Sequence, residues 1–206
     1  LSTGSALSVD CFDYVYQEIK PKVCLSSISG GTDIVSCFVL GSPMLPVYRG
    51  ELQTRGLGLS VEVWNDKGES VIDQKGELVC MKTFPSKPTG FWNDDEGEKY
   101  RQSYFDRYPN VWCHGDFVSL NLNGGMIFYG RSDTTLNRGG VRIGTAEIYR
   151  QVEKLNEVLE SIVVEQNWQD DIRVVLFVKL KDGLQLDDDL KQRIVTQIRS
   201  NTSPRH

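Results

Sequence analysis

Three stretches of this chain combine residue types that can hold a polyanion. The first is Ser29, Gly30, Gly31, Thr32 and Asp33, where a glycine pair runs into a hydroxyl and a carboxylate. A strand feeding such a turn can hold a phosphate-bound Mg2+, because Mg2+ sites use one or two carboxylates and complete their shell with phosphate oxygens. A plain strand-end turn would use the same residues. The second stretch, residues 111–116, reads VWCHGD and ends in Asp116. A carboxylate at a strand end is well placed for ligands in α/β proteins and suits the two hydroxyls of a ribose. A turn aspartate before the next strand is the plainer reading. His114 beside it reads as a structural neighbour and not a base. The third stretch, residues 130–149, reads GRSDTTLNRGGVRIGTAEIY. It carries two cations, Arg131 and Arg142, two turn formers, Asp133 and Asn137, and a glycine pair, Gly139 and Gly140. The glycines allow close approach of a ligand to the backbone. The stretch reads as a joint between two domains that carries charge for an anion, and equally as an interdomain turn with surface arginines.

The elements that must position these residues follow from periodicity. Residues 3–6 (TGSA) form a tight loop, and Ser8 is placed to cap a helix whose Val9, Phe12, Val15, Tyr16 and Ile19 share a face until Pro21 stops it. Residues 23–28 read as a short buried strand leading into the glycine pair. From Val47 onward the chain turns β-rich: Leu59, Val61 and Val63 alternate, residues 65–68 (NDKG) turn, and residues 77–81 form a further strand. Residues 84–95 form a loop whose Phe91 and Trp92 should pack against the β unit, and residues 98–107 a short helix. Residues 120–125 (LNLNGG) make a hairpin turn before a strand at 126–129. Past the joint the pattern becomes helix, strand, strand, helix. Thr145 is placed to cap the first helix with Glu147 in its first turn, strands fall at 161–164 and 172–180, and Asp187, Asp188 and Asp189 open the last helix. The fold class expected is α/β and α+β: a β-rich, barrel-like part over residues 1–132, then a hinge and a small, truncated α+β domain over 133–206.

Composition narrows the partners. Hydrophobic residues make up 39% of the 206 residues and charged residues 25%, which allows a real core. The net charge of −5 and the scattered basic residues argue against a nucleic-acid partner, and no apolar run is long enough to cross a membrane. Five widely spaced cysteines without a C-x-x-C pair read as reduced, mostly buried thiols of a cytoplasmic protein. Two histidines exclude a histidine-rich metal site. The small-residue run at the start, without an initiator Met, and the stop just past a helix suggest a piece of a longer chain.

Several motifs resemble, in order, those of the AMP-forming acyl-CoA synthetases of the adenylate-forming ligase superfamily. Residues 3–7 look like the family's adenine loop and 29–33 like its Thr-Glu motif, with Asp33 in place of Glu. Gly76, Glu77 and Leu78 match its GEL signature, Gly115 and Asp116 its ribose motif, and 130–148 its hinge. The segments SISGGTDI, WNDKGE, GELVC, FWND and GRSDTTLN with GTAEIY are similar to the branch that activates acetoacetate. In the related acetyl-CoA synthetases a Trp at the position of Gly30 closes the acyl pocket, so Gly30 and Gly31 would leave room for a longer acid.

The resemblance implies an enzyme of lipid and fatty-acid metabolism whose substrates are ATP, CoA and a short acid, with Mg2+ as cofactor. Gly4, Ser5 and Ala6 would face adenine, Asp116 would hold the ribose hydroxyls, and Arg131 would contact ribose or phosphate. Thr32 would contact the α-phosphate, Asp33 would help hold Mg2+, and Arg142 would reach a phosphate in one domain orientation. Asp133 would be the hinge, and Gly139 and Gly140 would line the pantetheine tunnel. The family's Ser/Thr phosphate loop and its Pro-x-x-x-x-Gly-Lys segment are absent from this sequence, so these residues alone would be inactive and would leave apolar faces open to self-association. A noncatalytic nucleotide-binding module of the same superfamily is the competing expectation.

Overall fold

Alternating apolar residues produce most of the strands that the sequence places, and the register of those strands decides which polar residues meet. The computed structural model describes residues 1–133, 136–138, 141–168 and 171–202. The chain divides into two units, Leu1–Phe128 and Tyr129–His206.

The first unit opens with helix α1 (Val9–Tyr14), capped by the Ser8 hydroxyl, which accepts the Cys11 N–H at 3.3 Å. A π-helical turn (Val15–Ile19) follows, and extended Lys20 ends it before Pro21, as the clash of a proline ring with the preceding residue requires. Strands β1 (Ser29–Gly31), β2 (Ser36–Leu40) and β3 (Thr54–Arg55) form one antiparallel sheet. Strands β4 (Val61–Trp64), β5 (Lys75–Cys80), β6 (Trp112–Leu120) and β7 (Met126–Arg131), whose residues from Tyr129 onward are counted with the second unit, form a second sheet in chain order. Two 2.8 Å backbone bonds between Leu52 and Met126 link the end of the first sheet to the edge of the second. Helix α2 (Glu98–Tyr104) lies in the connection between β5 and β6.

Between these elements sits an aromatic core. Phe38, Phe84 and Trp112 pack with centroids 5.5 to 6.3 Å apart, two of the three pairs edge to face, a geometry that adds about 0.5–1.5 kcal/mol per pair beyond burial. Phe91 joins it through Tyr100 and Tyr104.

Some expectations do not hold. Residues 23–28 are not a strand: apart from a bridge between Ser27 and Ser2 they make no ladder, and the ladder begins at Ser29, in the glycine pair itself. Trp92 does not pack; it is 92% exposed. Of the five cysteines, all free, only Cys80 and Cys113 are buried.

In the second unit, β8 (Leu136–Arg138) and β9 (Val141–Ile143) pair antiparallel, then come helix α3 (Thr145–Val152), the hairpin of β10 (Val158–Trp168) and β11 (Asp171–Leu180), and helix α4 (Asp188–Asn201). Gly144 and not Thr145 is the N-cap of α3. Its N–H donates to Glu147 Oε1 at 3.1 Å, and its carbonyl accepts the Glu147 N–H at 2.9 Å. Asp187 caps α4 by accepting the Leu190 N–H at 2.8 Å. Leu136, Ile143, Ile148, Val152, Ile194 and Ile198 fill the interior of this unit. The outer face of the hairpin stays open, for its register partners Ile162 and Phe177 are both more than half exposed. Among the described residues no helix is long and apolar enough to cross a membrane.

Candidate functional site

The site is built where the β1–β2 hairpin meets β6. The four residues 32–35 connect the two strands, and the Val35 N–H closes the turn on the Thr32 carbonyl at 3.2 Å. Thr32 and Asp33 are exposed at its tip, while Ile34 between them and the sheet is fully buried and anchors the turn in the core. Val35 completes the turn at φ +47°, a left-handed conformation that is strained for a β-branched residue.

Asp116 reaches the site through a bulge. Glu77 pairs with Phe117 but Val79 pairs with Cys113, so Leu78 alone faces three residues of β6. Gly115 absorbs the irregularity at φ +81°, and bulges of this kind re-aim neighbouring side chains. The sequence places Asp116 at a strand end; the structure places it in the middle of β6, turned inward and 8% exposed. Its Oδ2 accepts the Ser29 hydroxyl at 2.7 Å.

His114, on the same bulge, fixes the hairpin backbone. Trp112 Nε1–H donates to His114 Nδ1 at 3.4 Å, and His114 Nε2 lies 3.1 Å from the Gly30 carbonyl. A ring whose Nδ1 accepts must carry its proton on Nε2, so His114 is the neutral tautomer donating to Gly30. With both nitrogens engaged it is a brace and not a base, as the sequence suggests.

Helix α2 supplies the last part. The Tyr104 phenol donates to Asp33 Oδ2, and the Tyr104 ring stacks on Trp112 at 3.7 Å with planes 15° apart. Asp94 holds the start of α2 by accepting the N–H groups of Lys99 at 3.1 Å and Tyr100 at 2.9 Å. The Tyr100 N–H keeps the Asp94 carboxyl below the usual carboxylate range. On β2, burial pushes the Cys37 thiol up, so the hairpin carries no activated thiolate.

The structure therefore brings Gly30, Gly31, Thr32 and Asp33 together with Asp116. Gly4, Ser5 and Ala6 leave from the same edge, because Ser2 bonds to the backbone of Ser26 and Ile28, immediately before β1. Arg131 and Asp133 belong to the second unit, where Arg131 Nε lies 3.4 Å from Asp133 Oδ1 with both side chains exposed. Arg142 is in β9 opposite Asn137, but its side chain, and Gly139 and Gly140 altogether, lie outside the described residues.

Gly30 lies hard against the neighbouring strand β2. A Cβ there would meet the Ser36 carbonyl oxygen at 2.1 Å, so its side-chain direction points into the paired strand. Glycine is required by the close pairing of β1 with β2. Gly31 is the more open of the two, its Cβ direction meeting His114 Cε1 at 3.1 Å.

The sequence names Ser29 but does not pair it with Asp116, and it does not single out Tyr104 as the partner of Asp33. The i, i+4 pair Tyr100 and Tyr104 is visible there as a helix face, but nothing local ties that face to Asp33, 71 residues away.

No family model matches the chain. Over its whole length it is 61% identical to acetoacetyl-coenzyme A synthetase of Rhizobium meliloti, of which it covers 32%. The structure of acetoacetyl-CoA synthetase from Streptomyces lividans superposes with a TM-score of 0.88 at 44% identity, over 98% of this chain and 31% of that one. A benzoate CoA ligase from Burkholderia xenovorans superposes at 0.78 with 21% identity, over 98% of this chain and 38% of that one, a likeness of fold alone. The chain is thus similar from end to end to acetoacetyl-CoA synthetases, and it spans about a third of the length of these relatives. Its mixed α/β fold is that of a part of an adenylate-forming ligase.

Proposed function

We propose that the protein to which this chain belongs is an acid–thiol ligase that joins acetoacetate to CoA at the expense of ATP, releasing AMP and pyrophosphate. The observation that carries the reading is the junction of the hairpin with the bulge: two carboxylates, Asp33 and Asp116, are held at one site by partners 71 and 87 residues away, in a chain 61% identical to an acetoacetyl-CoA synthetase. The acid is taken from the relatives.

In this reading Asp116 accepts the ribose hydroxyls, and its bond to Ser29 fixes which oxygens remain for them. Gly4, Ser5 and Ala6 border the adenine. Thr32 offers its hydroxyl to the α-phosphate, where transfer depends on positioning and charge neutralisation more than on covalent help. Asp33 is a single exposed carboxylate. Among the described residues no three His, Cys, Asp or Glu side chains gather as a cation site. That donor set fits Mg2+ carried in on phosphate oxygens and does not fit a resident ion. Mg2+ would neutralise phosphate charge there. The acid attacks the α-phosphorus and pyrophosphate leaves; the CoA thiol then attacks the acyl carbon and AMP leaves. Arg131 contacts ribose or phosphate, Arg142 reaches a phosphate in one domain orientation, Gly139 and Gly140 line the pantetheine path, and Asp133 is the hinge between parts 1–132 and 133–206. Residues 1–206 alone do not turn over, and the enzyme works in the cytoplasm.

The test uses the full-length protein with ATP, Mg2+, CoA and a panel of acetate, propionate, butyrate and acetoacetate, assayed for AMP and thioester. Acyl-CoA made preferentially from acetoacetate is expected. Preference for another acid overturns the substrate but keeps the class. ATP binding without turnover of any acid moves the protein to a noncatalytic nucleotide-binding module.

A further inference from the structure

We infer that Tyr104 is a positioning residue for Asp33: its phenol takes one oxygen of the carboxylate and so presents the other to the cation–phosphate end of a bound nucleotide. The inference rests on the reading of Asp33 given above.

Asp33 sits exposed at the tip of a hairpin, where a carboxylate in water samples several rotamers. Holding a group in its working orientation before the ligand arrives removes that ordering cost from binding. The Tyr104 hydroxyl donates to Oδ2, which leaves Oδ1 for a ligand. The donor is itself held by packing. Its ring stacks on Trp112, which is 2% exposed, at 3.7 Å. Its helix is tied at the N-terminus by Asp94 and by the Tyr100 hydroxyl, which donates to the Pro88 carbonyl at 2.6 Å.

Trp112 also holds the other end of the hairpin. Through its bond to His114, and that of His114 to the Gly30 carbonyl, it fixes the backbone two residues before Thr32. One aromatic cluster thus grips the hairpin at Gly30 and at Asp33. The ring of Tyr104 serves the packing, where a phenylalanine would do as well, and only the hydroxyl touches Asp33. The two roles are therefore separable by a single oxygen atom.

The experiment uses the full-length protein and the variants Tyr104→Phe, Asp33→Asn and the double variant. Mn2+ is the probe, its binding followed by electron paramagnetic resonance with ATP present and no acid, alongside ATP binding without metal and thermal stability. Tyr104→Phe is expected to weaken Mn2+ binding in the presence of ATP by about tenfold, the size of one hydrogen bond to a charged group. Metal-free ATP binding and melting temperature should stay as in the wild type. The double variant should bind no worse than Asp33→Asn, because residues that act through one contact do not add. Wild-type Mn2+ binding by Tyr104→Phe overturns the inference, as do losses that multiply in the double variant. Equal losses in metal-free ATP binding and in stability also overturn it, since they mark a purely structural tyrosine. A wild-type protein that binds neither ATP nor Mn2+–ATP overturns the parent reading, and this inference falls with it.

Discussion

Ser29 and Asp116 are joined by a 2.7 Å hydrogen bond across 87 residues of sequence. The bond ties the first strand of the glycine hairpin to the bulge on β6, so that a shift of either displaces the carboxylate proposed to hold ribose. A hydrogen bond to a carboxylate is worth about 1.5–3 kcal/mol. Ser29→Ala in the full-length protein should therefore weaken ATP binding by about tenfold, the lower end of that range. Isothermal titration calorimetry measures it, and unchanged affinity would remove Ser29 from the site.

Gly115 should tolerate no side chain. Its φ of +81° is the turning point of the bulge, and an L-residue in that region costs about 1–2 kcal/mol. The backbone would escape the cost by flattening the bulge, which swings Asp116 away from Ser29. Gly115→Ala should lower the melting temperature and reduce ATP affinity together, whereas Ser29→Ala should reduce affinity with little change in melting. A Gly115→Ala protein of normal affinity would show that the bulge does not aim the carboxylate.

Val35 presents the opposite case, a residue worse than its position demands. It stands at φ +47° with 86% of its surface exposed, so it stores strain without burying apolar area in return. Asn accepts the left-handed region far more readily. Val35→Asn should raise stability by about 1 kcal/mol. The Val35 N–H to Thr32 turn bond is a backbone contact, so ATP affinity should hold. A melting temperature that falls would mean that the valine side chain makes a contact in the full-length protein that matters more than the strain.

How much of this was legible in the sequence follows from the range of each cause. Ser8 and the aspartates that open α4 act within one helical turn, and they read correctly; the shared face expected from Val9 to Ile19 holds only at Phe12, since residues 15–19 form a π-helical turn and Ile19 is 65% exposed. The alternation of Leu59, Val61 and Val63 finds β4 at 61–64 because alternation is local too, and the strand expected at 77–81 forms one or two residues earlier, at 75–80. Residues 23–28 misread because an apolar run cannot say whether a neighbouring strand is there to receive it. Trp92 misread because hydrophobicity does not tell an exposed loop from a packed one. The glycine pair, Asp33, Asp116, Ser29 and His114 were legible as residue types, but the pairing of Ser29 with Asp116, of His114 with Gly30 and of Tyr104 with Asp33 was not. Those contacts exist only through strand register and a bulge, which no local pattern encodes.

Glu77 and Arg107 test the sheet beneath the site. Glu77 is 1% exposed and its Oε1 accepts from Arg107, whose second nitrogen reaches Asp66 at 2.6 Å. Removing one partner of a buried pair costs about 3–5 kcal/mol, because a charge is left behind in the interior. The Arg107 side chain keeps 35% of its surface in solvent, so water offsets part of the loss. Arg107→Leu should cost about 3 kcal/mol, the low end of that range. Adding Glu77→Gln should return part of it, since the uncompensated charge is then gone. Differential scanning fluorimetry of the two variants decides it: a double variant less stable than Arg107→Leu would mean that the Glu77 charge is satisfied by its other neighbours.

Asp94 makes the site's support sensitive to acid. Its carboxylate accepts the N–H groups of Tyr100 and Lys99 in the first turn of α2, where a negative charge also complements the helix dipole. The Tyr100 bond, the largest cause, lowers the folded-state pKa. For a lowered carboxyl the sign is fixed. Its stabilising contribution is fully present above the unfolded value of about 3.9, and it is lost as the pH falls through the folded one. Asn at this position can still cap but cannot titrate. The wild type should therefore melt higher than Asp94→Asn near neutral pH, and the gap should close below about pH 3.9. Because α2 carries Tyr104, Mn2+ binding in the presence of ATP should weaken in Asp94→Asn as well. A melting gap that stays constant from neutral pH down to about pH 3, below the unfolded carboxyl value, would show that the charge on Asp94 does not hold the helix.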